Sequence, residues 1–299
     1  MNASTPTVRW NVGNLSSPLL LPTIFIILWS SGYVAGKIGL PYAGPFTLIF
    51  LRFSVAALVL LVVALVTHAP WPKTLTEWKH IAVVGVLIQA LQFSGLYSGM
   101  SMGVSAGVSA VIVGLMPILT TIGAVHFLGE RVSRTQIIGL GIGLAGVALV
   151  VWNKIHIDGG SLMGYGAVLL ALLGISIGTL YQKKYCTGMD LRTGGFIQLS
   201  VATAIVGAIG YLREGLAVHW TPELVGSSLW LSLVNSIGAI SVLFLMVRRG
   251  EASRVATLFY LIPSVTALMG FAVLNETLAP LQIAGFLISA SGVYLATRK

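Results

Sequence analysis

The 299-residue sequence predicts an all-α integral membrane protein, with ten transmembrane helices arranged as two inverted five-helix repeats. Three observations carry that prediction. Composition comes first: 56% of residues are hydrophobic and 8% charged, with a mean hydropathy of +0.94, whereas a soluble domain is roughly 25% charged. Second, apolar runs long enough to span a bilayer recur along the chain, and the basic residues between them alternate by side. Third, the chain repeats itself at a fixed offset of 146 residues.

The polar stretch 1–17 reads as a cytoplasmic tail. It lacks the basic n-region and small-residue cleavage site of a signal peptide, so the first apolar run is expected to be retained. That run covers 18–36. The others fall at 46–67, 80–100, 104–128, 136–152, 162–182, 194–212, 225–247, 254–274 and 280–297. A spanning helix takes about 20 apolar residues, so ten leave only short connections and no room for a sizeable soluble domain. The third and fourth runs are divided only by a short hinge around Ser101–Gly103.

With the N-terminus in the cytoplasm, thirteen Lys and Arg fall on the cytoplasmic side. Lys37, Lys154 and Arg213 fall opposite, and Arg52 lies inside the second run. Basic residues in short loops orient membrane proteins, so both termini are expected to be cytoplasmic and the number of spans even. The net charge of +9 therefore reports topology and gives no reason to expect nucleic acid. The lipid bilayer is the expected partner, with a small molecule as substrate.

At the 146-residue offset, Leu128-Gly-Glu130 falls on Leu274-Asn-Glu276, Pro117 on Pro263, Gln136-Ile137 on Gln282-Ile283, and Gly146-Val147 on Gly292-Val293. Ser54-Val-Ala56 likewise falls on Ser200-Val-Ala202. The repeats are therefore 18–152 and 162–299. Five spans each is odd, so the second copy enters the membrane from the opposite side. Inverted repeats of this kind are the usual frame of secondary transporters.

These residues resemble the drug/metabolite transporter superfamily, EamA type. Trp29-Ser-Ser-Gly-Tyr-Val-Ala-Gly-Lys37 is similar to that family's first-helix signature and Pro45-Phe-Thr-Leu-Ile-Phe-Leu-Arg52-Phe to its second. The family's most recognisable block runs from Ala110 through Pro117 to Leu128-Gly-Glu-Arg131, Gln136, Gly139 and Gly146-Val147, and it recurs in the second half with Asn275 in place of glycine. The resemblance implies ten helices, a central cavity, alternating access and export of small metabolites. Its YddG-like aromatic amino-acid exporters suggest aromatic and other amino acids as substrate, and the inner membrane as location.

Polar side chains inside hydrocarbon need a partner or a wet cavity. Gln89, Gln92, Phe93 and Tyr97 lie close to one face of the third run, and Trp29 and Tyr33 are spaced i, i+4 in the first. Asn235 is the repeat counterpart of Gln89, and Thr179, Ser241 and Tyr260 add hydroxyls. Such a lining suits a ligand with a planar apolar body and a polar end; each residue alone would equally serve interhelical hydrogen bonding or an interfacial belt. Arg52 reads either as a contact for a substrate carboxylate or as a snorkelling or backbone-paired side chain. Pro117 and Pro263 are expected hinges or static kinks, and Glu130 and Glu276 helix-end anchors or gating contacts. No Asp or Glu falls near the middle of a run, which favours an uncoupled facilitator over a proton-coupled exporter.

Enzymatic readings find little support. Gly103-Val-Ser105-Ala-Gly107 matches a nucleophile elbow and Gly141-Ile-Gly143-Leu-Ala-Gly146 a dinucleotide fingerprint, but both motifs need a preceding strand and both lie in apolar helix. Cys186 is the only cysteine and there is no Walker A or HExxH sequence, so no metal, cofactor or catalytic residue is expected. A channel or a non-transport membrane subunit is the alternative from another class.

Overall fold

A computed structural model describes residues 20–128, 133–158, 161–239, 241–242, 246, 259 and 261–297. Among them, α1 is Leu20–Gly39, α2 Pro45–Val66, α3 Leu75–Ser101, and α4 Ala106–Val113 followed by Met116–Leu128. The chain continues with α5 (Arg134–Asp158), α6 (Leu162–Tyr185), α7 (Leu191–Glu214), α8 (Pro222–Leu229 running into Trp230–Ala239), α9 (Ile262–Leu274) and α10 (Pro280–Thr297). By length and composition α1, α2, α3, α6, α7 and the stretch Ala106–Gly123 of α4 can each cross a membrane. An isolated antiparallel bridge, Ala43 with Val218, joins the α1–α2 and α7–α8 loops.

Local chemistry sets the ends. α3 starts before the apolar run at 80 because Thr74 and Glu77 form a capping box: Thr74 Oγ1 accepts the Glu77 N–H at 3.2 Å, and Glu77 accepts from the Thr74 N–H at 3.4 Å. α8 starts early for a similar reason, with Thr221 capping the Leu224 N–H at 3.2 Å ahead of Pro222. Gly103, at φ 98°, separates α3 from α4, a conformation glycine reaches without strain. Asn275 ends α9 at φ 54°. That position needs the left-handed region, which glycine supplies freely and asparagine tolerates.

The two repeats interlock. α2 packs on α7, α5 on α10, and α4 on α9, so equivalent helices meet across the pseudo-two-fold axis. α1 packs on α8 and α9 of the other repeat, just as α6 packs on α3 and α4. Gly95, Gly99, Gly103 and Gly107 recur every four residues, but the turn at Gly103 divides them: a Cβ on Gly95 or Gly99 would meet α6, and one on Gly107 would meet Ala267 of α9. In α4 the helix breaks at Gly114–Leu115. Pro117 has no N–H and its ring crowds the carbonyl of Val113, and tighter turns take over, with Leu115 N–H donating to Ile112 O at 3.1 Å and Ile118 N–H to Leu115 O at 2.9 Å. Pro263 occupies the matching place, second residue of Ile262–Leu274 as Pro117 is of Met116–Leu128; residues 247–258 and 260, on which a kink ahead of Pro263 would fall, lie outside the described residues.

Carboxylates hold helix starts from a distance. Glu214, at the end of α7, accepts the N–H groups of Phe46 at 3.1 Å and Thr47 at 2.8 Å and the Thr47 hydroxyl at 2.6 Å. Charge-assisted bonds to exposed helix donors are worth roughly 1.5–3 kcal/mol. Glu214→Ala should therefore lower the melting temperature of the purified protein by several degrees, with Glu214→Gln falling in between; equal melting of Ala variant and wild type would contradict the tie.

Asp190 caps α7, accepting the Arg192 N–H at 2.9 Å and pairing with Nη2 at 2.7 Å, while Arg192 Nη1 donates to Thr67 Oγ1 at 2.8 Å. The Arg192 side chain holds the Asp190 carboxyl below its usual range. A carboxyl whose folded pKa is depressed stabilises the fold above its unfolded value and loses that contribution as pH falls through the folded one. The pair is partly exposed, so the expected effect is below about 1 kcal/mol. Acid-melting curves of Asp190→Asn and wild type should converge as pH drops below 4.

Candidate functional site

Both repeats depart from α-helix at equivalent places. α3 is π-helical over Gly85–Leu91 and α8 over Trp230–Ala239, and the 146-residue offset carries 85–91 onto 231–237. A π-helix shifts the phase of a helix by a residue and re-aims its side chains, and such segments concentrate at functional sites. Gln89 and Asn235 occupy matching positions in the two segments.

Beside α8 lies the centre of the site. Arg52, on α2, is buried at 6% exposure. Its Nε donates to Ser236 Oγ at 3.1 Å and its Nη1 to the Tyr97 hydroxyl at 2.9 Å. Ser236 can accept because its own proton goes to Leu231 O at 3.0 Å, five residues back along the π turn. The guanidinium stacks on Phe93, 4.3 Å from the ring centre, with Phe53 at 5.5 Å. Phe93 in turn meets Phe53 and Tyr97 edge-on. Among the described residues no carboxylate pairs with Arg52. Burying an unneutralised cation costs several kcal/mol, and a ring at this distance returns roughly 0.5–2 kcal/mol.

α1 closes over this cluster. Asn235 Nδ2 donates to Leu28 O at 2.7 Å, which fixes the orientation of the amide and leaves a buried Oδ1 with no hydrogen-bond partner among the described residues. A Cβ at Gly32 would fall 2.6 Å from Asn235 Nδ2, and one at Gly36 2.8 Å from the Tyr97 ring. One turn apart, these two glycines let the α1 backbone lie on the site. Tyr33 is buried in the same cluster of side chains as Tyr97. Trp29 is half-buried against Phe25 and Phe259, at 5.4 and 5.3 Å. In the other repeat, the counterpart of Gly32 is Gly178, and a Cβ there would meet Ile88, not Gln89. The two halves thus hold the same elements in different register.

Of the other anticipated residues, Gln89 is half-buried and Gln92 buried, the backbone of Gln92 lying against Gly174 of α6. Thr179 is half-buried and spends its hydroxyl on Ile175 O within its own helix, at 2.7 Å. Ser241 is exposed. Tyr260 and Glu130 lie outside the described residues. Ser236 and Phe53 were not anticipated: the repeat places Ala90 opposite Ser236, so symmetry gave no signal for it.

Glu276 and Lys37 tie the end of the bundle where α1 finishes. Glu276 Oε1 accepts the Ala106 N–H at 2.8 Å, capping α4. Lys37 Nζ donates to Met100 O at 2.6 Å and Val104 O at 3.1 Å, and feels the Glu276 charge. These bonds join α1 to the α3–α4 turn and the α9–α10 loop to the start of α4.

Both enzyme-like motifs are structural. Ser105 is the N-cap of α4, accepting the Val108 N–H at 3.3 Å. Gly143 and Gly146 press on the backbone of α10, while Gly141 faces open space. A groove of about 510 Å³ lies between α2 and α7, lined by residues that include Phe50, Ser54, Ser200 and Thr203. The helical repeat puts Arg52 on the other side of α2 from Phe50 and Ser54, so this groove is separate from the site.

Comparison with known proteins agrees with this architecture. A solved structure titled "Crystal structure of protein" superposes with a TM-score of 0.64 at 17% identity, covering 93% of this chain and 97% of its own; it shares the fold. The uncharacterized transporter YvbV of Bacillus subtilis is 30% identical over 94% of this chain and 91% of its own. A probable amino-acid metabolite efflux pump of Salmonella typhimurium is 24% identical over 92% and 93%. The profile of the EamA-like transporter family matches twice, at residues 17–152 and 162–298. With both halves matched and the interlocked helices they predict in place, the chain belongs to the EamA-like transporter family, of the drug/metabolite transporter superfamily, and is a multi-pass membrane transporter, not an enzyme.

Proposed function

We propose that this transporter exports small amphipathic metabolites, aromatic and other amino acids first among them, by alternating access around the cluster between α1, α2, α3 and α8. The observation that carries the reading is the pair of matched π-helical segments, which bring an amide, two hydroxyls and stacked aromatic rings to one buried place. Rings stack on the planar body of such a ligand and the polar groups bind its end. The different register of α1 on α8 and of α6 on α3 supports exchange between two states. The Salmonella relative's name points to the same substrate class. A relative in Escherichia coli is named an inner membrane transporter, and the distribution of Lys and Arg favours cytoplasmic termini there.

The mechanism proposed is facilitation without ion coupling. Glu214 and Glu276, which a proton relay would need free, are spent on helix N–H groups. Alternating access then takes α1 as a moving part, with Pro117 and Pro263 as hinges and Glu276 as a gating contact. Purified protein in liposomes should take up labelled tryptophan and phenylalanine saturably with no imposed gradient, in preference to a non-aromatic control. Uptake that collapses when a pH gradient is removed would sink the uncoupled mechanism, and transport of other metabolites alone would sink the substrate assignment.

A further inference from the structure

Resting on that transport reading, the geometry points to a sharper rule: we infer that Arg52 is the anchor for an anionic group, a carboxylate, on the transported molecule, so that neutral and cationic analogues are rejected. The guanidinium carries five N–H donors. Ser236 and Tyr97 take two, through Nε and Nη1, and Phe93 covers one face at 4.3 Å. Both donors of Nη2 and the second of Nη1 make no hydrogen bond with the described residues. Parallel donors on adjacent nitrogens are the arrangement that binds a carboxylate in two-point fashion.

The neighbours fit the same ligand. The Tyr97 oxygen accepts from Arg52, so its own proton is left for a second bond to the anion. Ser236 is committed in both directions, receiving from Arg52 and donating to Leu231 O, and therefore positions the guanidinium. In the same π turn, the buried Asn235 Oδ1, which has no partner among the described residues, is an acceptor for an ammonium or hydroxyl next to the carboxylate. Gln198, the repeat counterpart of Arg52, instead donates to Met189 Sδ at 3.6 Å, so the anion site exists once in the bundle and not twice.

The test uses the full-length protein and four phenyl compounds: phenylalanine, 3-phenylpropionate, phenylalaninamide and phenethylamine, with alanine and propionate as ring-free controls. Binding is read by thermal shift and uptake in liposomes. Phenylalanine and 3-phenylpropionate should bind at least tenfold more tightly than the amide and the amine. Arg52→Lys should keep the preference for acids at reduced affinity, and Arg52→Gln should bring the acid-to-amide ratio close to one. A structural Arg52 would leave that ratio near one already in the unaltered protein, which decides the matter even if the glutamine variant fails to fold. Equal binding of amide, amine and acid overturns the anion site but leaves the transport reading in place. Binding of only the ring-free carboxylates keeps the anion site and removes the aromatic assignment. Binding of none of the six overturns the anion site.

Discussion

Leucine at Gly146 should abolish the folded protein, whereas alanine at Gly141 in the same helix should leave it intact. Gly146 lies where α5 crosses α10: a Cβ there would run into the Ser289 backbone nitrogen and come 2.8 Å from Gly285 O. Its repeat partner Gly292 faces Gly143 and would meet Gly139 O at 2.7 Å. The obstacles on both sides are backbone, which cannot swing aside like a flexible side chain. Overpacking a core ordinarily costs about 1–3 kcal/mol; separating two helices along a contact of this length should exceed that. Small residues at such crossings are what allows transmembrane backbones to approach. Gly141, by contrast, has nothing within 4 Å of its would-be Cβ. Size-exclusion profiles and melting curves in detergent give the comparison. A Gly146→Leu protein that is monodisperse and melts like the wild type would refute the close crossing, and Gly292→Leu should behave as Gly146→Leu does.

Much of this architecture is written in the sequence at the scale of whole helices. The 146-residue offset pairs Gly146 with Gly292 and Gln89 with Asn235, and the structure finds the first pair in equivalent packing and the second in equivalent π-helical segments. What the sequence hides is the phase of those segments. A bond spanning five residues leaves no compositional mark, so residues 85–91 and 230–239 read as ordinary apolar helix, and Ser236 becomes visible only once the π turn aims it at Arg52. Long-range caps are hidden for a related reason. Glu214 and Glu276 look like helix-end charges, and only the fold reveals that each satisfies the start of a helix roughly 170 residues away in the chain, Thr47 and Ala106. Thr179 is hidden in another way: its hydroxyl donates to Ile175 O within its own helix, a bond that an apolar run does not announce.

The second large effect is expected from alanine at Gly32 and Gly36: transport should fall more than tenfold while the fold survives. Both glycines face side chains, not backbone. The new Cβ would stand 2.6 Å from Asn235 Nδ2 in one case and 2.8 Å from the Tyr97 ring, 3.2 Å from its hydroxyl, in the other. Neither neighbour can yield without loss, because Asn235 is held to Leu28 O and Tyr97 to Arg52. The strain therefore falls on the seating of α1 over the site and not on the bundle as a whole. In an alternating-access cycle that seating belongs to one state, and a penalty of about 1.4 kcal/mol or more on one state shifts the balance at least tenfold. Gly178 provides the contrast. It is the repeat equivalent of Gly32, yet its would-be Cβ meets Ile88 and Leu87 side chains, so Gly178→Ala in this state presses on apolar groups that can adjust and should reduce flux less than Gly32→Ala. Flux into liposomes, with melting temperature measured on the same preparations, separates the possibilities. Unchanged flux in both Gly32→Ala and Gly36→Ala would show that α1 need not seat there during transport, and a collapse in melting temperature alongside flux would reduce these glycines to packing.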